Sequence, residues 1–293
     1  MIKSPLRWPG GKSRAIKHFA EYFPKEINEI REPFVGGGSV GLYLKQKHPD
    51  ASLWINDLDP LLANFWKQLQ ADSSVMMTML YAGLSKPRSE AALRQTFDTC
   101  KRDLRGENTT SSGSVGPTTQ AVQFYYLNRC SYAGLTMAGG FSKTAAIGRF
   151  TKSSIDRLAG VSKLLQGALV TNEDYELVLT ASNRGVPHAE EQPDPAGVFI
   201  FLDPPYDQLK TGKDGLYGNK GEIHAGFDHE RFYDVVSPCP HNWMITYNDT
   251  PEIRERWKKF NIREWSLTYS FHRTKTDSGE TKRKKTELLV TNY

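Results

Sequence analysis

Between Ile30 and Asp57 the chain runs strand, glycine turn, helix, strand, carboxylate, and that order leaves few folds open. Ile30–Phe34 reads as a short strand that stops at Gly36-Gly37-Gly38. A helix follows through Tyr43 and Leu44, and Ala51–Ile55 reads as a second strand closed by Asn56-Asp57. This unit predicts a doubly wound α/β sheet that binds a nucleoside-containing molecule. Glycines such as Gly36 and Gly38 reach positive φ and let the backbone approach a ligand closely. An acid about twenty residues on, here Asp57, is placed to hold ribose hydroxyls. A dinucleotide would be served by the same pattern, so this pair alone does not choose between cofactors.

The rest of the chain sorts around that unit. Residues 13–23 predict a helix, with Ala15, Ile16, Phe19 and Phe23 on one side. Residues 60–105 read as helical and amphipathic, 106–121 as a Gly/Ser/Thr-rich loop, and 122–130 as helix. Residues 131–150 read as glycine-rich and irregular, and 154–165 as a further helix. These expectations place a mostly helical unit at 60–165, inserted into a sheet domain made of 1–59 and 166–293. Ala168–Thr171 then predicts a strand ending at Asn172-Glu173-Asp174-Tyr175. Val198–Leu202 is a continuous apolar run of the kind found in strands buried on both faces. Residues 182–197 and 207–227 read as surface loops, and Trp243–Thr246 and Glu287–Thr291 as the last strands. Between those two lies a basic stretch with Arg273, Lys275, Lys282, Arg283, Lys284 and Lys285, suited to phosphate or simply to solvent. No internal repeat is visible.

Composition narrows the class further. With 293 residues, 38% of them hydrophobic, the chain can build a sizeable core, and a net charge of +5 is compatible with a nucleic-acid partner. Cys100, Cys130 and Cys239 lie far apart without metal-ligand spacing, so neither a disulfide framework nor a zinc site is expected. The N-terminus has no apolar signal-peptide core and no run is long enough to span a membrane. The expectation is a cytoplasmic protein of a bacterium or a phage-infected cell.

The strongest chemical signal is Asp203-Pro204-Pro205-Tyr206, directly after the apolar run. In open α/β sheets, ligands bind outside the carboxyl ends of the strands. Two prolines fix two φ angles and offer no N–H, so the loop is held in one shape with Asp203 and nearby carbonyls free to face a cleft. An exocyclic amino group on a purine is a poor nucleophile, because its lone pair is delocalised into the ring. A carboxylate and a carbonyl accepting its two hydrogens pull it toward tetrahedral geometry. Tyr206 offers a flat face for a base. The bland alternative is a proline turn that merely ends a strand.

Two further clusters add to it. Trp8-Pro9-Gly10-Gly11-Lys12 joins an aromatic, glycines and a cation, and Lys12 suits a cofactor carboxylate. Asp174-Tyr175 at a strand end can hydrogen-bond and stack on a cofactor adenine. Each has a plain reading too, as a packed basic arm and a solvated strand end.

Taken in order, Trp-Pro-Gly-Gly-Lys, Glu32-Pro33-Phe34 with its glycines, Asn56-Asp57, Leu127-Asn128-Arg129, the Asp-Pro-Pro-Tyr tetrad and Arg283-Lys284-Lys285-Thr286-Glu287-Leu288-Leu289 resemble the Dam-type DNA adenine methyltransferases, the alpha group of amino-methyltransferases. The resemblance spans essentially the whole chain. It implies a class I methyltransferase sheet, Rossmann-like, with a helical target-recognition unit inserted between the glycine turn and the tetrad. It implies S-adenosyl-L-methionine as cofactor, no metal, and double-stranded DNA as partner, with a cognate restriction endonuclease as a further candidate. Trp8, Lys12, Phe34, Gly36, Gly38, Asp57, Asp174, Tyr175 and Asp203 would then contact the cofactor, while Asp203, Pro204, Pro205 and Tyr206 would hold a flipped adenine. Arg7, Arg129, Tyr132, Met137 and Arg149 are the candidate DNA contacts. GATC-specific members carry Tyr-Asn-Gly-Leu followed shortly by Arg. Here Tyr132-Ala133-Gly134-Leu135 lacks the Asn and Met137 stands at the Arg position, so a GATC target does not carry over.

Three other readings compete. An RNA adenine methyltransferase shares the tetrad chemistry, but the inserted unit and the N-terminal cluster favour DNA. An NAD-dependent oxidoreductase explains neither the tetrad nor Trp8–Lys12. A catalytically inactive DNA-binding module does not need the intact tetrad.

Overall fold

Seven strands form one sheet in the computed structural model, which describes residues 1–107, 115–181, 197–206, 226–276 and 279–293. They are β1 (Glu29–Glu32), β2 (Ser52–Asn56), β3 (Leu169–Thr171), β4 (Val198–Leu202), β5 (Asn242–Asn248), β6 (Asn261–Thr276) and β7 (Gly279–Thr291). Their spatial order is β3-β2-β1-β4-β5-β7-β6. β3 to β5 are mutually parallel along that order, whereas β7 runs antiparallel to both neighbours. This is the sheet expected for a class I methyltransferase.

Side-chain alternation along buried strands builds the two faces. All five residues of β4 are buried. Phe199 and Phe201 join Ile30, Leu53 and Met244 on one side, while Val198, Ile200 and Leu202 join Trp243, Ile245 and Tyr247 on the other. From β1 the chain steps outward to β2 and β3, then crosses to β4 on the opposite flank of β1. That reversal opens a crevice at the carboxyl ends of β1 and β4.

Eleven helices are present among the described residues. α1 (Ile16–Phe19) and α2 (Ser39–Lys47) precede β2, and α3 (Pro60–Ala71), α4 (Ser73–Leu84), α5 (Glu90–Leu104), α6 (Pro117–Cys130), α7 (Lys143–Arg149) and α8 (Lys152–Leu164) lie between β2 and β3. α9 (Tyr175–Thr180), α10 (His229–Val236) and α11 (Pro251–Arg256) complete the set. The buried side chains of the helical block, Phe65, Trp66 and Phe124 among them, run without a break into those of the sheet.

Local chemistry explains where the elements differ from expectation. The helical run 60–105 is three helices, because Asp59, Asp72 and Ser89 each accept N–H groups as N-caps. α6 starts at Pro117 rather than 122, since proline suits the first helical position. The stretch 131–150 contains α7, capped by Ser142. Residues 13–23 are not one helix but α1 between two 3₁₀ turns. Asp174 does not end a strand directly; it caps α9 by accepting from the Glu176 N–H at 2.9 Å. The strand β6 was not expected, although Trp265, Leu267, Tyr269 and Phe271 alternate with polar residues at the period of a strand. The expected loops 182–197 and 207–227 fall outside the described residues, except for Gly197 and residues 226–227. The side chains of the basic stretch 273–285 fall outside them as well.

Candidate active site

The glycine turn after β1 is shaped by what lies on it. Gly36 and Gly38 have φ of +45° and +65°. A Cβ at Gly36 would stand 2.5 Å from the Trp8 indole Nε1, one at Gly37 2.9 Å from the Trp8 Cβ, and one at Gly38 2.9 Å from the Trp66 ring. Gly36 and Gly37 are therefore what allows the N-terminal arm to lie over the turn, and Gly38 makes room for Trp66. The Gly36 N–H donates to Asp57 Oδ2 at 3.0 Å, which ties the turn to the end of β2.

Asn56, just before Asp57, stitches three strand ends together. Its Nδ2 donates to the Pro33 and Glu173 carbonyls at 3.0 and 2.9 Å, while its Oδ1 accepts from Thr171 Oγ1 and the Glu173 N–H at 2.7 and 2.8 Å. This buried amide thus places Asp57 and the Glu173-Asp174 corner on either side of the glycine turn.

Asp203 leaves β4 at the other side of the crevice. The pairing of Leu202 with Ile245 in the parallel register sets Thr246 of β5 beside it. Thr246 Oγ1 donates to Asp203 Oδ1 at 2.6 Å, and Lys12 Nζ donates to both carboxylate oxygens at 2.6 and 2.7 Å. Lys12 is buried and also stands 5.1 Å from the centre of the Tyr206 ring. The Tyr206 hydroxyl donates to Glu287 Oε2 of β7 at 2.8 Å. Pro204 is buried, and Pro205 faces the cavity.

An aromatic wall closes the far end. Phe34 and Tyr175 lie 5.4 Å apart, and both pack on Phe232. The Arg231 guanidinium grips Asp174 through two nitrogens at 2.9 and 3.1 Å, reaches Glu176 at 2.6 Å, and covers the Tyr175 ring. Burial works to raise the Asp174 pKa, yet Arg231 and the Glu176 N–H outweigh it and hold that carboxyl below its ordinary value. Tyr175 is pushed up to about 12 by burial, and its buried hydroxyl has no hydrogen-bond partner among the described residues.

These groups share one cavity of about 370 Å³. Trp8, Lys12, Phe34 and Gly36 line it, as do Asp57, Asp174, Tyr175 and Asp203. Gly38 and Tyr206 are not among the residues that line it. Carboxylates inside are strongly perturbed: burial pushes Asp57 up to about 7 and Glu32 up to about 8, with neighbouring acids adding to both. The donor set fits a nucleoside bearing an amino-acid tail. A carboxylate stands at the end of β2, an orphaned phenol hydroxyl lies in an aromatic slot, and an ammonium and a carboxylate face each other at the opposite end.

The candidate DNA contacts scatter more widely. Tyr132 is 62% exposed, two residues before Gly134, which lines the cavity, and Arg149 is exposed at the end of α7. Arg7 is half-buried, with Nη1 donating to the Ser131 carbonyl at 2.8 Å; burial and the nearby Arg149 lower its pKa. Arg129 is turned inward, where its Nε donates to the Arg149 carbonyl at 2.8 Å and Nη1 to the Pro5 carbonyl at 3.3 Å. Met137 is buried and lines the cavity. Between Tyr132 and Met137, Ala133 and Thr136 adopt φ of +54° and +50°, a strained backbone for residues with a Cβ.

Sequence reasoning missed Thr246, Arg231 and the role of Glu287. Thr246 was legible only as a strand residue, Glu287 lay in a family motif without an assigned role, and Arg231 sits in α10 with no motif around it. Register sets Thr246 against Asp203 and Glu287 against Tyr206, and packing brings Arg231 to the cavity; neither leaves a local signal.

Known proteins with similar sequences bear directly on this geometry. The family model for D12 class N6 adenine-specific DNA methyltransferase matches residues 8–271. The chain is 31% identical over 224 residues to the type II methyltransferase M.MjaIII of Methanocaldococcus jannaschii, covering 71% of this chain and 70% of that protein. It is 24% identical over 304 aligned positions to the DNA adenine methylase of Salmonella typhi, covering 97% and 93%. Similarity to the DNA N-6-adenine-methyltransferase of Escherichia phage P1 is 26% over 271 residues, covering 89% of this chain and 32% of that protein.

Proposed function

The chain belongs to the D12 class N6 adenine-specific DNA methyltransferases, and from that premise we propose how its cavity divides the work of methylating the adenine amino group. The enzyme acts on DNA adenine, and methyltransferases of this kind generally use S-adenosyl-L-methionine. Bound in this cavity, that cofactor would supply an electrophilic methyl group on sulfur. Asp57 would accept its ribose hydroxyls, Phe34 and Tyr175 would offer an aromatic surface to its purine, Asp174 would accept from the purine amino group, and Trp8 and Lys12 would enclose its amino-acid tail.

Target adenine enters next to Asp203. Its amino group is paired inside duplex DNA, so the base leaves the stack at a cost of about a few kcal/mol. Asp203 accepts one amino hydrogen and a tetrad carbonyl accepts the other, which localises the lone pair on nitrogen and aims it into the cavity. Tyr206 stacks on the ring. Residues 60–165 serve target recognition. Tyr132, exposed next to the cavity-lining segment 134–137, fills the gap in the duplex, and Arg149 and Arg7 meet the DNA. Arg129 and Met137 support that surface from within, because their side chains are buried. A thioether does not donate to guanine, so any guanine in the target is read by another residue, and the GATC target of the resembling enzymes does not carry over to this chain. The enzyme works in the cytoplasm, and a cognate restriction endonuclease is its candidate partner; no described helix is long and apolar enough to cross a membrane.

One observation carries this reading: the cavity lined by the glycine turn and Asp57 is also lined by Asp203. The test is transfer of label from S-adenosylmethionine to duplex DNA or RNA, followed by digestion to nucleosides. N6-methyladenine from DNA is the expected product, and label in RNA alone would overturn the reading. Asp203→Ala is expected to abolish transfer while leaving DNA affinity largely intact. Residual transfer at the wild-type rate would remove Asp203 from the mechanism.

A further inference from the structure

Two prolines fix the backbone of the tetrad but leave the side chains on either side free to rotate. Asp203 can turn about χ1 and χ2, and so can Tyr206. Something outside the tetrad has to hold them, and the sheet supplies it.

For Asp203 there are two donors of different character. Lys12 reaches it from the N-terminal arm on a flexible four-carbon stem. Thr246 reaches it from the middle of β5, fully buried, with a β-branched side chain that has few rotamers to choose from. Lys12 touches both oxygens, whereas Thr246 selects Oδ1 alone. A carboxylate has about four lone-pair sites, so Oδ2 keeps acceptor capacity for a substrate N–H. The rigid donor thus assigns one oxygen to the frame and leaves the other for chemistry.

For Tyr206 the anchor is Glu287, which is 1% exposed on β7 and stands opposite Asn248 of β5 in the antiparallel register. A carboxylate at that depth needs donors, and the Tyr206 hydroxyl is one of them at 2.8 Å. The bond ties the outer end of the ring to a strand, so it fixes the direction in which the ring axis points. We infer that Thr246 and Glu287, on the adjacent strands β5 and β7, are positioning residues that set the working orientation of Asp203 and Tyr206. This rests on the roles given to Asp203 and Tyr206 above.

The experiment measures steady-state labelled methyl transfer to a plasmid that the wild-type enzyme modifies, with thermal melting recorded for every variant. Thr246→Val is expected to lower kcat about tenfold, with KM for DNA and for S-adenosylmethionine little changed, and Thr246→Ser to recover most of the loss. Glu287→Leu is expected to lower kcat by about the same factor, and Glu287→Gln, which can still accept from the hydroxyl, to retain most activity. In a Tyr206→Phe background, Glu287→Leu should cost no further activity, because the bond it serves is already gone. If Glu287→Leu does not fold, the Thr246 pair and Tyr206→Phe decide the matter. Wild-type kcat in Thr246→Val and Tyr206→Phe overturns the inference, and so do multiplying effects in the double variant or losses that track melting temperature alone. Asp203→Ala in the same series separates the two claims. If it is active, the reading of the tetrad falls; if it is inactive while Thr246→Val and Glu287→Leu run at the wild-type rate, only this inference falls.

Discussion

Glu32 shows at the scale of one residue what a ligand-binding crevice does to a carboxylate. It is 3% exposed at the end of β1, and its Oε2 accepts from the Gly41 N–H at 2.8 Å. Burial, with Asp203 and Asp57 nearby, pushes it up to about 8. Its pKa is raised on folding, so the folded chain holds the proton more tightly than the unfolded one. Stability from this group is complete below the ordinary carboxylate range and is lost as pH rises toward about 8. Asp57, pushed up to about 7, slopes the same way. Glu32→Gln keeps an acceptor for Gly41 and removes the titration. Melting temperatures followed between pH 5 and 9 should fall less steeply with pH for that variant than for wild type. Parallel curves would mean that Glu32 does not titrate in this range.

At the scale of elements, the glycine turn and the N-terminal arm are one unit. The turn is bare so that Trp8 can lie on it, and Trp66 closes it from beneath by donating to the Gly36 carbonyl at 3.2 Å. Gly36→Ala would put a methyl group into the Trp8 indole and force φ near +45° on a residue with a Cβ. The expected loss is about 1–3 kcal/mol of stability in urea titration, with weaker cofactor binding by calorimetry. Gly148→Ala is the control. It sits in α7 with nothing within 4 Å of the added Cβ, so it should be neutral or stabilising by about 0.4–1 kcal/mol. Equal losses in both variants would show that the close approach of Trp8 is not what demands glycine at position 36.

At the scale of the molecule, the arm belongs as much to the helical block as to the sheet. Asn128 of α6 is fully buried and clamps Arg7 from both sides: its Oδ1 accepts from the Arg7 N–H at 2.9 Å and its Nδ2 donates to the Arg7 carbonyl at 2.8 Å. The same Nδ2 donates to the Gly134 carbonyl at 3.1 Å. One amide therefore connects the arm that carries Trp8 and Lys12 to the strained loop beside the cavity mouth. Asn128→Ala removes the side-chain partner of the Arg7 N–H and carbonyl, whereas the Gly134 carbonyl keeps its bond from Thr136 Oγ1 at 3.1 Å; the cost is about 2–4 kcal/mol. It should also loosen the arm, so that cofactor affinity drops although Asn128 is not among the residues facing the cavity. Unchanged affinity in the destabilised variant would show that the arm is held by its other contacts.

The doubly wound sheet, the glycine turn, the strand-end acids and the tetrad were all readable in the sequence, because each is specified locally. Apolar runs make buried strands, glycines make turns with positive φ, and two prolines fix a loop. Asp57 and Asp203 stand out in the sequence for that reason. Pairing choices decided the rest. The parallel register of β4 on β5 brought Thr246 to Asp203, and the antiparallel insertion of β7 brought Glu287 to Tyr206. Packing turned Arg129 and Met137 inward, although their motif positions had suggested DNA. Which atoms face one another across a sheet depends on register, and register is settled by the burial of whole strands rather than by the residues nearest the chemistry.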